Sequence, residues 1–210
     1  PRALMNSWKP QLTEPTNLPW MHAEATADVV AALKTRYLFL PVIYNAAWRA
    51  HRDGVPLIAP LLLHFDDASC RQDLDQFMLG KDVLVAPVVD PGKREIAVTL
   101  PGPEEHWHDF WSGEIHRGGQ AITVAAPLDR LPIFVRAGAI LPLAEHWPDQ
   151  APHDADRVAL TLFAGPDDGT SAAEILFDDG DGWGFQAEDA SLVSCEAAWT
   201  RREVRLTLAE

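Results

Sequence analysis

Between Gln76 and Gly92 the chain passes from Gln76-Phe77-Met78-Leu79-Gly80-Lys81-Asp82 into the uncharged run Val83-Leu84-Val85-Ala86-Pro87-Val88-Val89 and leaves through Asp90-Pro91-Gly92. An apolar run of this length, closed on both sides by turn formers, reads as a buried strand. Such a strand needs covering layers, so the chain must build a sheet structure with a real core. Nothing in the segment can perform chemistry. It is scaffold, and function has to be sought elsewhere along the sequence.

With 210 residues, 47% of them apolar, the chain is long enough for one large domain or two small ones. Its 17 basic and 31 acidic residues give a net charge of −14 with no Lys/Arg cluster, which argues against nucleic acid and anionic membranes as partners. The most apolar run, Tyr37 to Tyr44, falls far short of the ~20 residues that cross a bilayer. Cys70 and Cys195 belong to no paired spacing, so neither a disulfide framework nor a zinc site is expected. Pro1 stands where a Met would begin a reading frame, and the closing Val204-Arg205-Leu206-Thr207-Leu208 alternates like a strand without a turn after it. Both ends are expected to be cut from a longer protein.

From Thr26 to His51 the period is helical. Val29, Leu33, Tyr37, Leu40, Tyr44 and Trp48 recur at three- and four-residue steps and define one apolar face. Thr26 is placed to cap the start, Asp28 suits the positive end of the helix dipole, and Gly54 is placed to end the helix in a left-handed turn. Pro41 lacks an N–H and crowds the carbonyl four residues back, so a kink or a break into two helices is expected there.

Beyond Gly54 the period shortens. Val55 to Phe65, Val83 to Val89, Arg94 to Leu100, Ala121 to Ala125 and Ile133 to Leu143 read as strands, with a short helix allowed between Asp66 and Leu79 and a bend at Gly138. The Pro-, Asp- and His-rich stretch from His146 to Ala155 reads as a linker. A second β unit follows, with strands expected at Arg157 to Phe163, Glu174 to Phe177, Trp183 to Gln186 and Arg201 to Leu208.

The groups that could carry chemistry have simpler readings. Asp109, in Trp107-His108-Asp109-Phe110-Trp111-Ser112-Gly113, is read as a turn residue rather than a nucleophile. His106 and His108 share one strand face, but two imidazoles without a third ligand do not make a metal site. Asp178-Asp179-Gly180-Asp181-Gly182 lacks the calcium-loop register and reads as a turn between strands. Trp107, Trp111, Trp147 and Trp183 could stack on sugar rings, although core packing is the simpler role for each. No metal and no cofactor are expected.

Four segments, in order, resemble glycoside hydrolase family 31, the α-glucosidase and α-xylosidase family. Arg36-Tyr37 with Pro41 and Tyr44 is similar to its "LRYRLLPYLY" helix, and Gly54-Val55-Pro56 with Pro60-Leu61 follows. The segment from Gln76 to Val88 is similar to "QFMxGxxLLVAPV", and Leu131 to Pro142 to "IPVFVRAGAIIP". The Trp107 to Gly113 segment resembles the family's "WxDxWTG" turn, and Asp178 to Gly180 its distal "EDDG" turn.

The resemblance implies a mainly β chain. Residues 1–54 would be the last strand and helix of a (β/α)8 TIM barrel, 55–145 a proximal C-terminal β-sandwich, and 146–210 an incomplete distal β-domain. It implies the C-terminal part of a retaining glycosidase acting on terminal α-linked sugars, with α-glucosidase activity foremost. The alternatives are an α-xyloside, α-galactoside or sulfoquinovoside enzyme, or a non-catalytic carbohydrate-binding or structural module. The catalytic Asp pair would precede this chain, so the chain alone is expected to be inactive, and the rest of the barrel is its expected partner. Pro1 to Trp8 looks like the family's "PRFxIHSW" loop and places Asn6 at the position of a sugar-binding His. Ala59 departs from the Arg of the family's "RPL".

Overall fold

A computed structural model describes residues 23–71, 75–145, 158–180 and 190–209. The helical stretch divides into α1 (Thr26–Leu38) and α2 (Leu40–Asp53). The break falls at Phe39, whose φ of −87° and ψ of 4° leave the helical region. Pro41 thereby sits in the first turn of α2, where its missing N–H has no helical partner to lose. Gly54 ends α2 in the left-handed conformation at φ 73°, its N–H bonded to the Ala50 carbonyl. Thr26 does not cap α1; the N-cap is Ala25, which offers no side-chain oxygen, and Thr26 is the first helical residue.

The helices anchor through a different face from the one read in the sequence. Phe39, Val42, Asn45 and Ala46 are buried, whereas Tyr37, Leu40 and Tyr44 remain 37–40% exposed. At 100° per residue, Leu40 and Tyr44 stand on the side of α2 opposite Val42 and Ala46. No residue of α1 is buried. The helix pair therefore carries two apolar stripes, only one of which is covered.

The strands that follow are β1 (Ile58–Pro60), β2 (Phe77–Leu79), β3 (Val83–Val85), β4 (Glu95–Leu100), β5 (His106–Asp109), β6 (Ile115–Arg117), β7 (Gln120–Ala125), β8 (Ile133–Arg136), β9 (Ile140–Ala144), β10 (Val158–Leu162), β11 (Gly169–Phe177), β12 (Ser191–Trp199) and β13 (Val204–Ala209). An antiparallel six-stranded sheet has the order β1-β2-β3-β8-β5-β6. β4 pairs with β7, β9 with β10, and β11, β12 and β13 form a three-stranded sheet.

The central strands β3 and β8 are buried on both faces. Leu84 and Phe134 point with Met78 and Trp107 into a core closed by Val98 and Leu100 of the β4–β7 pair. Val83, Val85, Ile133 and Val135 point the other way, onto Phe39, Val42 and the β9 residues Leu141 and Leu143. A strand sandwiched like this has no solvent face to mark with polar residues, which is why Val83 to Ala86 carries none. The strand expected over Val83 to Val89 stops at Val85, and Val88 and Val89 lie exposed beyond it. A third core joins Ile140 to Ile175, Cys195, Ala197 and Trp199.

Several expected strands are shorter or divided. Only Ile58–Pro60 of the Val55 to Phe65 run pairs, and Leu61–Leu63 turns into a 3-10 helix. The helix allowed after Asp66 is a 3-10 turn at Ala68–Arg71, and Phe77–Leu79 belongs to β2. Ile133 to Leu143 is split at Gly138, φ 89°, into strands of two different sheets. The 146–155 linker and the 183–186 strand lie outside the described residues.

Trp107 is the largest wholly buried side chain among the described residues, and its indole Nε1 donates to the Pro101 carbonyl at 2.9 Å. Gly118 lies so close to this turn that a Cβ there would come within 2.0 Å of the Gly102 carbonyl oxygen. Trp107→Ala is expected to lower the unfolding free energy of the sandwich by about 3–5 kcal/mol. Trp107→Phe, which keeps most of the volume and leaves the carbonyl unpaired, should cost about 1–3 kcal/mol. Urea denaturation followed by circular dichroism checks both, and a Trp107→Phe loss close to zero would show that the hydrogen bond contributes nothing.

Candidate functional site

Asp109 and Asp178, candidate acids behind the β3 strand, are each engaged by their own turn. Asp109 ends β5, and its Oδ1 accepts from the backbone N–H groups of Trp111 at 2.8 Å and Ser112 at 3.0 Å. Asp178 accepts from the Gly180 N–H at 3.0 Å, and Gly180 takes φ 70° to complete the turn. These carboxylates fold the chain locally. Asp181 and Asn6 lie outside the described residues, as do Trp147 and Trp183.

The described aromatic and imidazole groups are similarly engaged. Trp107 is core, while Trp111, 36% exposed, donates from Nε1 to the Leu131 carbonyl at 2.7 Å and has the Arg130 guanidinium over its ring. His108 Nε2 lies 2.8 Å from the Ala164 carbonyl, so the neutral ring carries its proton on that nitrogen, and the ring packs edge-on against Phe163. Among the described residues no group of three His, Cys, Asp or Glu side chains gathers as a metal site. No described helix is long and apolar enough to cross a membrane. Ala59 is fully buried on β1 opposite Met78.

Two surfaces face outward. One is the apolar stripe of Val30, Tyr37, Leu40 and Tyr44 on the helices, each 37–40% exposed. The other is an open groove of about 450 Å³ between α1 and the loops after β3 and β7, lined by Thr35, Pro87, Val88, Pro127 and Leu131. Asp90 on its rim is ion-paired to Lys93. The groove mixes proline and aliphatic carbon with the charged residues Asp90, Lys93, Arg94, Asp129 and Arg130.

A polar seam on α2 was not anticipated from the sequence. Asn45, 5% exposed, accepts from the Leu176 N–H at 2.7 Å and donates to the Leu176 carbonyl at 3.3 Å. Arg49 donates to the Glu174 carbonyl at 2.7 Å, Arg52 to the Glu174 carboxylate at 2.9 Å, and the Tyr44 hydroxyl to Asp178 at 2.6 Å. Burial and the bond to Asp178 push the Tyr44 hydroxyl up to about 12. The available signal was an amide among Val42, Ala46 and Ala47 on a helix otherwise apolar at that point.

A family model described as the glycosyl hydrolase family 31 C-terminal domain matches residues 54–141. The α-xylosidase of Saccharolobus solfataricus is 33% identical over 192 residues, covering 90% of this chain and 25% of the relative. The mouse neutral α-glucosidase AB is 34% identical over 179 residues, covering 83% of this chain and 19% of the relative. Among solved structures, a family 31 dextranase of Flavobacterium johnsoniae complexed with isomaltotriose superposes with a TM-score of 0.83 at 29% identity, over 91% of this chain and 24% of the dextranase. The chain thus spans about a quarter or less of the proteins it matches.

Two half-buried histidines are expected to make the fold sensitive to acid. Burial, aided by the Arg136 charge and opposed by Asp82, holds His64 below its ordinary value of 6.5. Burial lowers His108 likewise, aided by His106 and opposed by the Ala164 bond. The unfolded chain takes up these protons near pH 6.5 and the folded chain only at lower pH. Stability present above that value is therefore lost as pH falls through the folded-state values. Thermal melts from pH 7.5 to 5 should show the midpoint falling, and His64→Gln with His108→Gln should flatten that dependence; an unchanged slope would contradict the assignment.

Proposed function

The chain belongs to glycosyl hydrolase family 31, and from that premise we propose that it is the C-terminal part of a retaining enzyme that hydrolyses terminal α-linked glucose. Retaining hydrolysis needs one carboxylate to attack the anomeric carbon and a second carboxyl group to protonate the leaving oxygen. In this reading both Asp residues precede the chain. Residues 1–54 close the catalytic barrel, 55–145 form the proximal sandwich and 146–210 belong to the distal β-domain. Asn6 contributes one sugar contact, its amide donating and accepting at hydroxyl groups.

The observation that carries the reading is the match over residues 54–141 together with a helix pair whose outer stripe is apolar and open. Tyr37, Leu40 and Tyr44 are spaced to receive a further helix or strand, and a barrel supplies both. The sandwich then acts as a buttress under the last barrel helix. The engagement of Asp109 and Asp178 in turns supports a scaffold role for the segments behind β3.

The α-xylosidase and the α-glucosidase are similar to this chain at 33% and 34% identity, so the assay should offer aryl glycosides of both sugars. The complete reading frame containing this chain is expected to hydrolyse the aryl α-glucoside with retention of configuration, and residues 1–210 alone to release no phenol. Hydrolysis by the 210-residue chain alone would contradict the proposal. A complete polypeptide that binds oligosaccharide without cleaving any α-glycoside would replace it with the carbohydrate-binding reading.

A further inference from the structure

Strand β11 is an edge of its sheet, and its free side is not bare. In an antiparallel pair, successive residues direct their N–H and C=O groups alternately towards the partner and away from it. Leu176 and Glu174 direct theirs away from β12, because they bond to α2 instead. Asn45 gives Leu176 both an acceptor and a donor, which is what the backbone of a neighbouring strand would give. Arg49 serves the Glu174 carbonyl, Arg52 its carboxylate, and Tyr44 serves Asp178, two residues beyond Leu176.

The spacing makes this match possible. Four residues of helix, Asn45 to Arg49, rise about 6 Å, and two residues of strand, Leu176 to Glu174, span about 6.7 Å. Helical i, i+4 positions therefore fall opposite alternate strand residues over a short stretch. The same device occurs at a second free edge. Gln76, 4% exposed, donates to the Thr99 carbonyl at 3.1 Å and accepts from the Thr99 N–H at 2.9 Å on β4, whose strand partner is β7. Asn45 and Gln76 are the buried polar residues of the described core, and both make this reciprocal amide pair.

Apolar packing joins α2 to the β11–β12–β13 sheet through β9, which places Leu141 and Leu143 with Val42 and Ile140 with Ile175. The cluster containing Phe39 and Val42 includes no residue of β11, β12 or β13, and the cluster containing Ile175, Cys195 and Trp199 includes no residue of α2. We propose that Asn45 is the positioning residue of a helix-to-strand clamp, in which α2 stands in for a missing neighbour of β11 and fixes the distal sheet against the helix pair. The clamp also closes an edge that would otherwise recruit foreign strands. It goes beyond the proposed glycosidase activity and does not depend on which sugar is cleaved.

Residue-resolved hydrogen exchange on the full chain tests the clamp. Asn45→Ala should speed exchange of the Leu176 N–H by about ten- to hundredfold, while Ile175 and Phe177, which face β12, change by less than about threefold. Gln76→Ala should do the same at Thr99 and leave Leu176 unchanged. Arg49→Ala, outside both apolar clusters, gives a second route if Asn45→Ala does not fold, and should speed Leu176 exchange by about threefold or more. Unchanged Leu176 exchange, or a uniform acceleration across β11, β12 and β13, would overturn the proposal.

Discussion

The burial of Phe39 and Val42 against Val83, Val85, Ile133 and Val135 is the contact on which the other features depend. It fastens the helix pair to the open face of the six-stranded sheet and makes the two central strands two-sided. Because β4 and β7 cover the opposite face, β3 has no exposed side and its sequence has no polar alternation. The same contact fixes which way α1 and α2 are rotated. With Val42 inward, Leu40 and Tyr44 must point outward, and the exposed stripe that supports the family 31 scaffold reading follows from the geometry of the helix.

Polar groups then do what apolar packing leaves undone. The two buried side-chain amides each complete a free strand edge, and the turn aspartates hold backbone N–H groups that would otherwise lack partners. Burying an amide is tolerated when its hydrogen bonds are made and costs stability when they are not. Asn45 and Gln76 therefore specify orientation, while the aliphatic clusters supply most of the driving force. Acid is expected to act on a separate part of the structure, at His64 and His108, where partial burial favours the neutral imidazole.

Much of this was legible in the chain itself. The Val83 run, the interruption near Pro41, the turn at Gly54 and the bend at Gly138 each have a local cause that sequence displays. The turn roles of Asp109 and Asp178 followed from neighbouring Gly, Ser and aromatic residues. The anchoring face of α2 did not follow, since a helix with apolar residues on two sides yields one strong period and hides the other. β12 was missed because Ser194-Cys195-Glu196-Ala197-Ala198 is poor in β-branched residues, and its strand state comes from pairing with β11 and β13. The function of Asn45 was invisible for the same reason: its partner lies 131 residues away.

The central claim is that the outer face of the helix pair is built to be covered by more of the same protein. Amide exchange along α1, measured in the 210-residue chain and in the complete polypeptide, tests it most directly. In the isolated chain, α1 should exchange far faster than Val83–Val85, and in the complete polypeptide the difference should largely close. Protection of α1 equal to that of β3 in the isolated chain would contradict the claim.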